Sequence, residues 1–181
     1  INQQERAAIR SRRLYALPMR DTQTVLKAHS QLHDWSCAAS AHEFIAKIHE
    51  KIGLADYPLQ NDPASQRGGF QFGAFLSSIG FTSHDDHLPP PDATKLFVTE
   101  IAQQRFPLVS ILAGIGTGST YRHIVVAVPS GAEVALADPA KQSLITQTSA
   151  ETLALLQAVV AAVSGCNKIH LLTYHTKKTA A

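Results

Sequence analysis

The chain has 181 residues, 45% hydrophobic and 17% charged, enough for a single globular domain with its own core. Sixteen lysines and arginines against fourteen acids give a net charge of +2 with the signs interspersed, so neither nucleic acid nor a membrane surface is expected as a main partner. No run approaches the roughly eighteen apolar residues of a membrane span, no export signal is read at the start, and two cysteines make no disulfide framework. A chain that begins at Ile1 is compatible with being a piece of something longer. A free thiol suits a reducing compartment.

Residues 1–28 read as a lead-in or linker: a short helix, then an irregular stretch through Pro18. Their arginines, among them Arg6, Arg10, Arg12, Arg13 and Arg20, are expected on a solvated face. Residues 29–181 read as the domain proper. From Cys37, the apolar positions Ala41, Phe44, Ile45, Ile48 and Ile52 follow the i, i+4, i+7, i+8 pattern of a helix buried on one side. Asp34 or Ser36 is expected as its N-cap, and Gly53 as its left-handed C-terminal stop. Residues 54–69, rich in Pro, Asn, Asp and Gly, read as a loop. A short helix over 72–79 is closed by Gly80, and after Pro89-Pro90-Pro91 a helix capped by Asp92 is expected to run to about 104.

The second half changes period. Strands are expected at 108–112, 123–128, 133–138 and 168–174, with a flexible loop at 114–118. Thr148-Ser149-Ala150-Glu151 fits a capping box, opening a helix that stops at Gly165. With no internal repeat, the pattern is α+β: a helical half, with a thiol at a helix start, packed on an antiparallel sheet.

The chemistry converges on four residues. A cysteine in the first helical turn faces free N–H groups and the positive end of the helix dipole, which favours thiolate. If Ser130-Gly131 forms the two-residue turn of the 123–138 hairpin, His123 lies directly opposite Asp138, so that the carboxylate can orient the ring while the other nitrogen faces sulfur. Gln31, six positions before Cys37, has an amide able to donate to an oxyanion.

Gln31, then Trp35-Ser36-Cys37, then His123 opening Ile124-Val125-Val126, then Asp138-Pro139, resembles the papain-like cysteine peptidases. The resemblance is greatest to the compact bacterial branch related to the bacteriocin-processing, double-glycine peptidases, and extends to bacterial effector proteases delivered into host cells. It implies a papain-like fold with Cys37 as nucleophile, His123 as general base and acid, Asp138 as orienter and Gln31 as oxyanion donor. It also implies a protein or peptide substrate. The same triad can serve deamidation or acyl transfer, and a non-catalytic binding module is the alternative outside enzymes. No cofactor is expected and nothing sets the oligomeric state.

Other groups read as structural. Cys166 is expected as a packed core thiol. Ser83-His84-Asp85-Asp86-His87 and His29-x-x-x-His33 carry ligand-type residues without a convincing set of further ligands, so no metal is expected. Residues 114–118 precede a strand and lack a Lys-Ser/Thr ending, which argues against a phosphate loop.

Overall fold

The computed structural model describes residues 19–66, 72–114, 121–163 and 165–177. The expected N-terminal helix and most of the glycine-rich loop lie outside them. The first element is α1 (Thr22–Ala28), whose N-cap Asp21 accepts from the Thr24 N–H. Then come α2 (Cys37–Ile48), the short α3 (Pro63–Gln66), α4 (Phe72–Ser78), β1 (Phe81–Leu88) and α5 (Pro90–Ala102). Strands β2 (Leu108–Ala113), β3 (Tyr121–Ser130), β4 (Glu133–Asp138) and β5 (Ser143–Gln147) follow, then α6 (Ser149–Ala162) and β6 (Ile169–Thr176).

All six strands form one antiparallel sheet in the order β1-β6-β2-β3-β4-β5. Alternation along each strand sorts its side chains between two cores. On one face Phe81, Leu108, Val126, Val128, Ala135, Ala137 and Tyr174 pack against Ala41, Phe44, Ile45 and Ile48 of α2, with Val25 and Leu26 of α1. On the other, Val109, Val125, Ala127, Val134, Leu136 and Leu171 meet Ala93 and Phe97 of α5 and Leu156 of α6. The α+β class expected from the sequence is the one observed.

Helix α2 departs from its expected form in instructive ways. Every residue from Ala39 to Ile48 is buried, so the helix is covered all round rather than on one side. It ends at Ile48, and the left-handed turn falls on Glu50 (φ +55°), not on Gly53. Arg20 explains the early stop: its guanidinium donates to the carbonyls of Lys47 (2.8 Å) and Ile52 (2.9 Å), and its N–H to that of Ile48 (2.7 Å). Carbonyls left unpaired at a helix end are thus satisfied by a side chain from outside. Arg20 is therefore a cap, not part of a solvated face.

Two strands were not expected. Residues 81–88, dense in His and Asp, form edge strand β1, held by a full ladder to β6, and β5 is the opposite edge. The N-cap of α5 is Pro89, with Asp92 in the first turn. The capping box of α6 forms as expected, Thr148 and Glu151 each bonding the other's backbone N–H.

Candidate active site

The α2 start is built by a tight turn, in which the Ser36 N–H donates to the His33 carbonyl (3.0 Å). Ser36 occupies the N-cap position but its hydroxyl does not cap. It donates instead to the His33 carbonyl (2.9 Å) or to Gln60 Oε1 (2.7 Å). The first-turn N–H groups are thus left free of a side-chain cap, and the backbone N–H groups of Ala38 and of Ile124 on β3 favour the Cys37 thiolate.

His123 and Asp138 meet, but not as directly opposed residues. The turn residues are Gly131 and Ala132, and Ser130 pairs with Glu133, so the ladder runs two positions out of the expected register. Gly131 takes φ +63° at the first turn position, the residue type and sign that a II′ hairpin requires there. A shift of two keeps His123 and Asp138 on the same face, whereas a shift of one would have separated them. The contact is therefore diagonal, within reach of an aromatic ring. His123 Nε2 donates to Asp138 Oδ1 at 2.8 Å, and the same oxygen accepts the Ala140 N–H at 3.0 Å. Both residues are buried, at 5% and 8% exposure.

With Nε2 committed to the carboxylate, Nδ1 is the nitrogen left for sulfur, and ring and thiol each favour the other's charged form. Burial alone raises the thiol's pKa, but the bond to His123, the Ile124 N–H, the imidazolium charge and the Ala38 N–H together bring it below its ordinary 9.0. Burial likewise lowers the His123 pKa, yet Asp138 on one side and Cys37 on the other raise it to about 9. Burial opposes ionisation of Asp138 too, and His123 overcomes it, leaving that carboxyl below its usual range. The favoured state is thiolate, imidazolium, carboxylate in a row.

Gln31 lies on the same loop, its amide donating to the carbonyls of His33 (2.8 Å) and Asp34 (3.4 Å). Its backbone N–H reaches the Pro139 carbonyl (3.4 Å), and Gln142 Nε2 donates to the His29 carbonyl (3.3 Å) and to Ser30 Oγ (3.2 Å). The loop before Cys37 is thereby tied to the turn that follows Asp138. Trp35 stacks on His33, with centroids 4.9 Å apart.

Sequence reasoning missed the support beneath this loop. Gln60, 1% exposed, donates to Glu43 Oε2 (2.7 Å) and the Ser30 carbonyl (3.0 Å), while its Oε1 accepts from the Leu32 N–H (2.7 Å) and faces the Ser36 hydroxyl. Glu43 in turn accepts the N–H groups of Leu59 and Gln60. Further along α2, Lys47 donates to His29 Nδ1 (2.9 Å) and lies 3.7 Å from the Tyr57 ring centre. The available signal was a second stripe, Ser36, Ser40, Glu43 and Lys47, polar at helical spacing beside the apolar one. His29 belongs to this network, its Nε2 bonded to the Ser40 carbonyl (2.9 Å). Cys166 is half-buried rather than packed in the core, with Sγ against the Lys168 carbonyl (3.3 Å).

Fold and site define an α+β protein in which a histidine is hydrogen-bonded to an aspartate and electrostatically coupled to a cysteine at a helix start. Among solved structures, the chain is similar to a double glycine motif protease from an AMS/PCAT transporter in complex with the leader peptide. The TM-score is 0.49 at 15% identity, over 82% of this chain and 89% of that one. It is also similar to the Pseudomonas avirulence protein AvrPphB, at TM-score 0.37 and 15% identity over 90% and 98% of the two chains. No family model and no curated protein sequence matches the chain.

Proposed function

We propose that this protein is a papain-like cysteine peptidase acting on a protein or peptide. The observation that carries the reading is the chain of contacts from Cys37 through His123 to Asp138, with the sulfur at the start of a buried helix. The Cys37 thiolate attacks a peptide carbonyl and forms a tetrahedral oxyanion. Backbone N–H groups at the α2 start, and the Gln31 amide once it turns from the His33 carbonyl, donate to it. The His123 imidazolium then gives its proton to the departing amine, and Asp138 holds the ring throughout. Water, deprotonated by His123, releases the acid product from the acyl-enzyme. Action inside a host cell is an extension of the same resemblance to effector proteases.

The test has two parts. Iodoacetamide alkylates Cys37 below about pH 8, where an unperturbed thiol is largely protonated, and Cys37→Ala abolishes turnover with the fold retained. Mass spectrometry of candidate polypeptides incubated with wild type and with Cys37→Ala then reads the reaction. New termini support the peptidase, whereas conversion of an amide to an acid or a new conjugate reassigns the triad to deamidation or acyl transfer. A sluggish Cys37, or turnover that survives its removal, overturns the enzyme reading.

A further inference from the structure

Away from the Cys37 site, β1 and β6 bring two histidines face to face. His87 and His170 are direct partners in the ladder, with rings parallel within 8° and centroids 4.3 Å apart. Asp85, two positions before His87, projects from the same side of β1. Its Oδ1 lies 2.5 Å from His170 Nε2 and 3.5 Å from His87 Nε2. One carboxylate oxygen and two imidazole nitrogens thus converge, every pair within 4.8 Å. Ligand atoms around a tetrahedral ion bound at about 2.1 Å stand about 3.4 Å apart, so small side-chain rotations bring all three onto one centre.

We propose that Asp85, His87 and His170 bind a divalent first-row transition ion, zinc foremost, which clips edge strand β1 to β6. The donor set selects the ion. Two imidazoles and a carboxylate suit Zn²⁺, Co²⁺, Ni²⁺ or Cu²⁺, whereas Ca²⁺ and Mg²⁺ take oxygen ligands. The side chains of Asp85 and His87 are more than half exposed, which leaves an entry path and room for water in the open position. Asp85 supplies the negative charge, and Arg122 is the cationic group that works against the ion at His170. The sequence hid this site because its third ligand comes 83 positions after His87, through a strand pairing that no local pattern announces.

The site is independent of the peptidase reading, and its test is made in Cys37→Ala protein so that no thiolate competes. Co²⁺ titration followed by visible absorption and equilibrium dialysis is expected to show one ion per chain, displaced by Zn²⁺, with a rise in melting temperature. His87→Ala and His170→Ala each weaken binding by more than about a hundredfold, the upper figure for loss of a mere outer-shell partner. His84→Ala, on the opposite side of β1, leaves it unchanged. His87 is exposed, so its variant remains interpretable if His170→Ala fails to fold. Absence of binding to the parent protein, or binding that survives His87→Ala, overturns the site.

Discussion

At the level of single residues, the division of labour within the proposed triad is testable through charge. Asp138 raises the His123 pKa by both a hydrogen bond and a negative charge, and Asp138→Asn removes the charge while leaving a group that can still accept from Nε2. The His123 pKa then falls from about 9. Under the proposed peptidase mechanism activity requires thiolate and imidazolium together, so the alkaline limb of the kcat/KM profile follows His123 and moves to lower pH in Asp138→Asn. The acid limb follows the lowered Cys37 pKa. Asp138→Ala loses orientation as well and is expected to cost about 10²–10⁴-fold in kcat, the range for a positioned acid–base group. An alkaline limb that does not move in either variant would show that His123 is not held by Asp138 in the working enzyme.

At the level of elements, the site depends on one buried amide that joins three segments. Gln60 pins the 30–36 loop to α2 through Ser30, Leu32, Ser36 and Glu43, using both its donors and its acceptor. Gln60→Leu orphans the Leu32 N–H and the Ser30 carbonyl and removes a donor to Glu43. Each buried group left unpaired costs about 1–3 kcal/mol, read as a lower urea midpoint. The loop carrying Gln31 loses its shape, so kcat falls. The sulfur keeps its partners His123, Ala38 and Ile124, so the pH dependence of Cys37 alkylation is retained. Loss of both together would mean that Gln60 supports the helix as a whole rather than the loop. The same elements show what was legible beforehand. The 133–138 strand and the capping box at Thr148 appear as expected because the signals that make them are local. Strands β1 and β5 were invisible because they are edges whose pairing, not composition, makes them strands: His84, Asp85, Asp86 and His87 disfavour a strand on their own. The hairpin is the intermediate case. Its strands and shared face were legible, but the choice of Gly131-Ala132 over Ser130-Gly131 rests on which residue takes the positive φ, and the two choices differ only in ladder register.

For the molecule as a whole, three buried histidines set the response to acid. Burial and the neighbouring Lys47 hold His29 at a pKa of about 3, and burial holds His42 and His49 at about 4, against 6.5 for a free ring. Below about pH 6.5 each ring takes a proton in the unfolded chain but stays neutral in the fold, so stability falls as pH falls toward 4. Three such protons amount to at most about 4 kcal/mol per pH unit, at roughly 1.4 kcal/mol for each. The His123 contribution runs the other way: its pKa is raised, so its stabilisation is complete below 6.5 and is lost only as pH rises through about 9. Asp138, with a lowered pKa, contributes fully above the ordinary carboxyl value of 3.8 and loses that contribution only as pH falls below it. Glu43, raised by burial, offsets part of the loss by taking up a proton in the fold as acid is added. The urea midpoint is therefore expected to drop steeply between pH 6.5 and 4.5. The drop should be shallower in His49→Phe, which keeps a ring among Phe81, Phe106 and Tyr174 but cannot titrate. A midpoint that holds level across that interval would mean that these rings take up protons in the folded state, which the burial of all three, with His29 against Phe44 and His49 against Phe81, opposes.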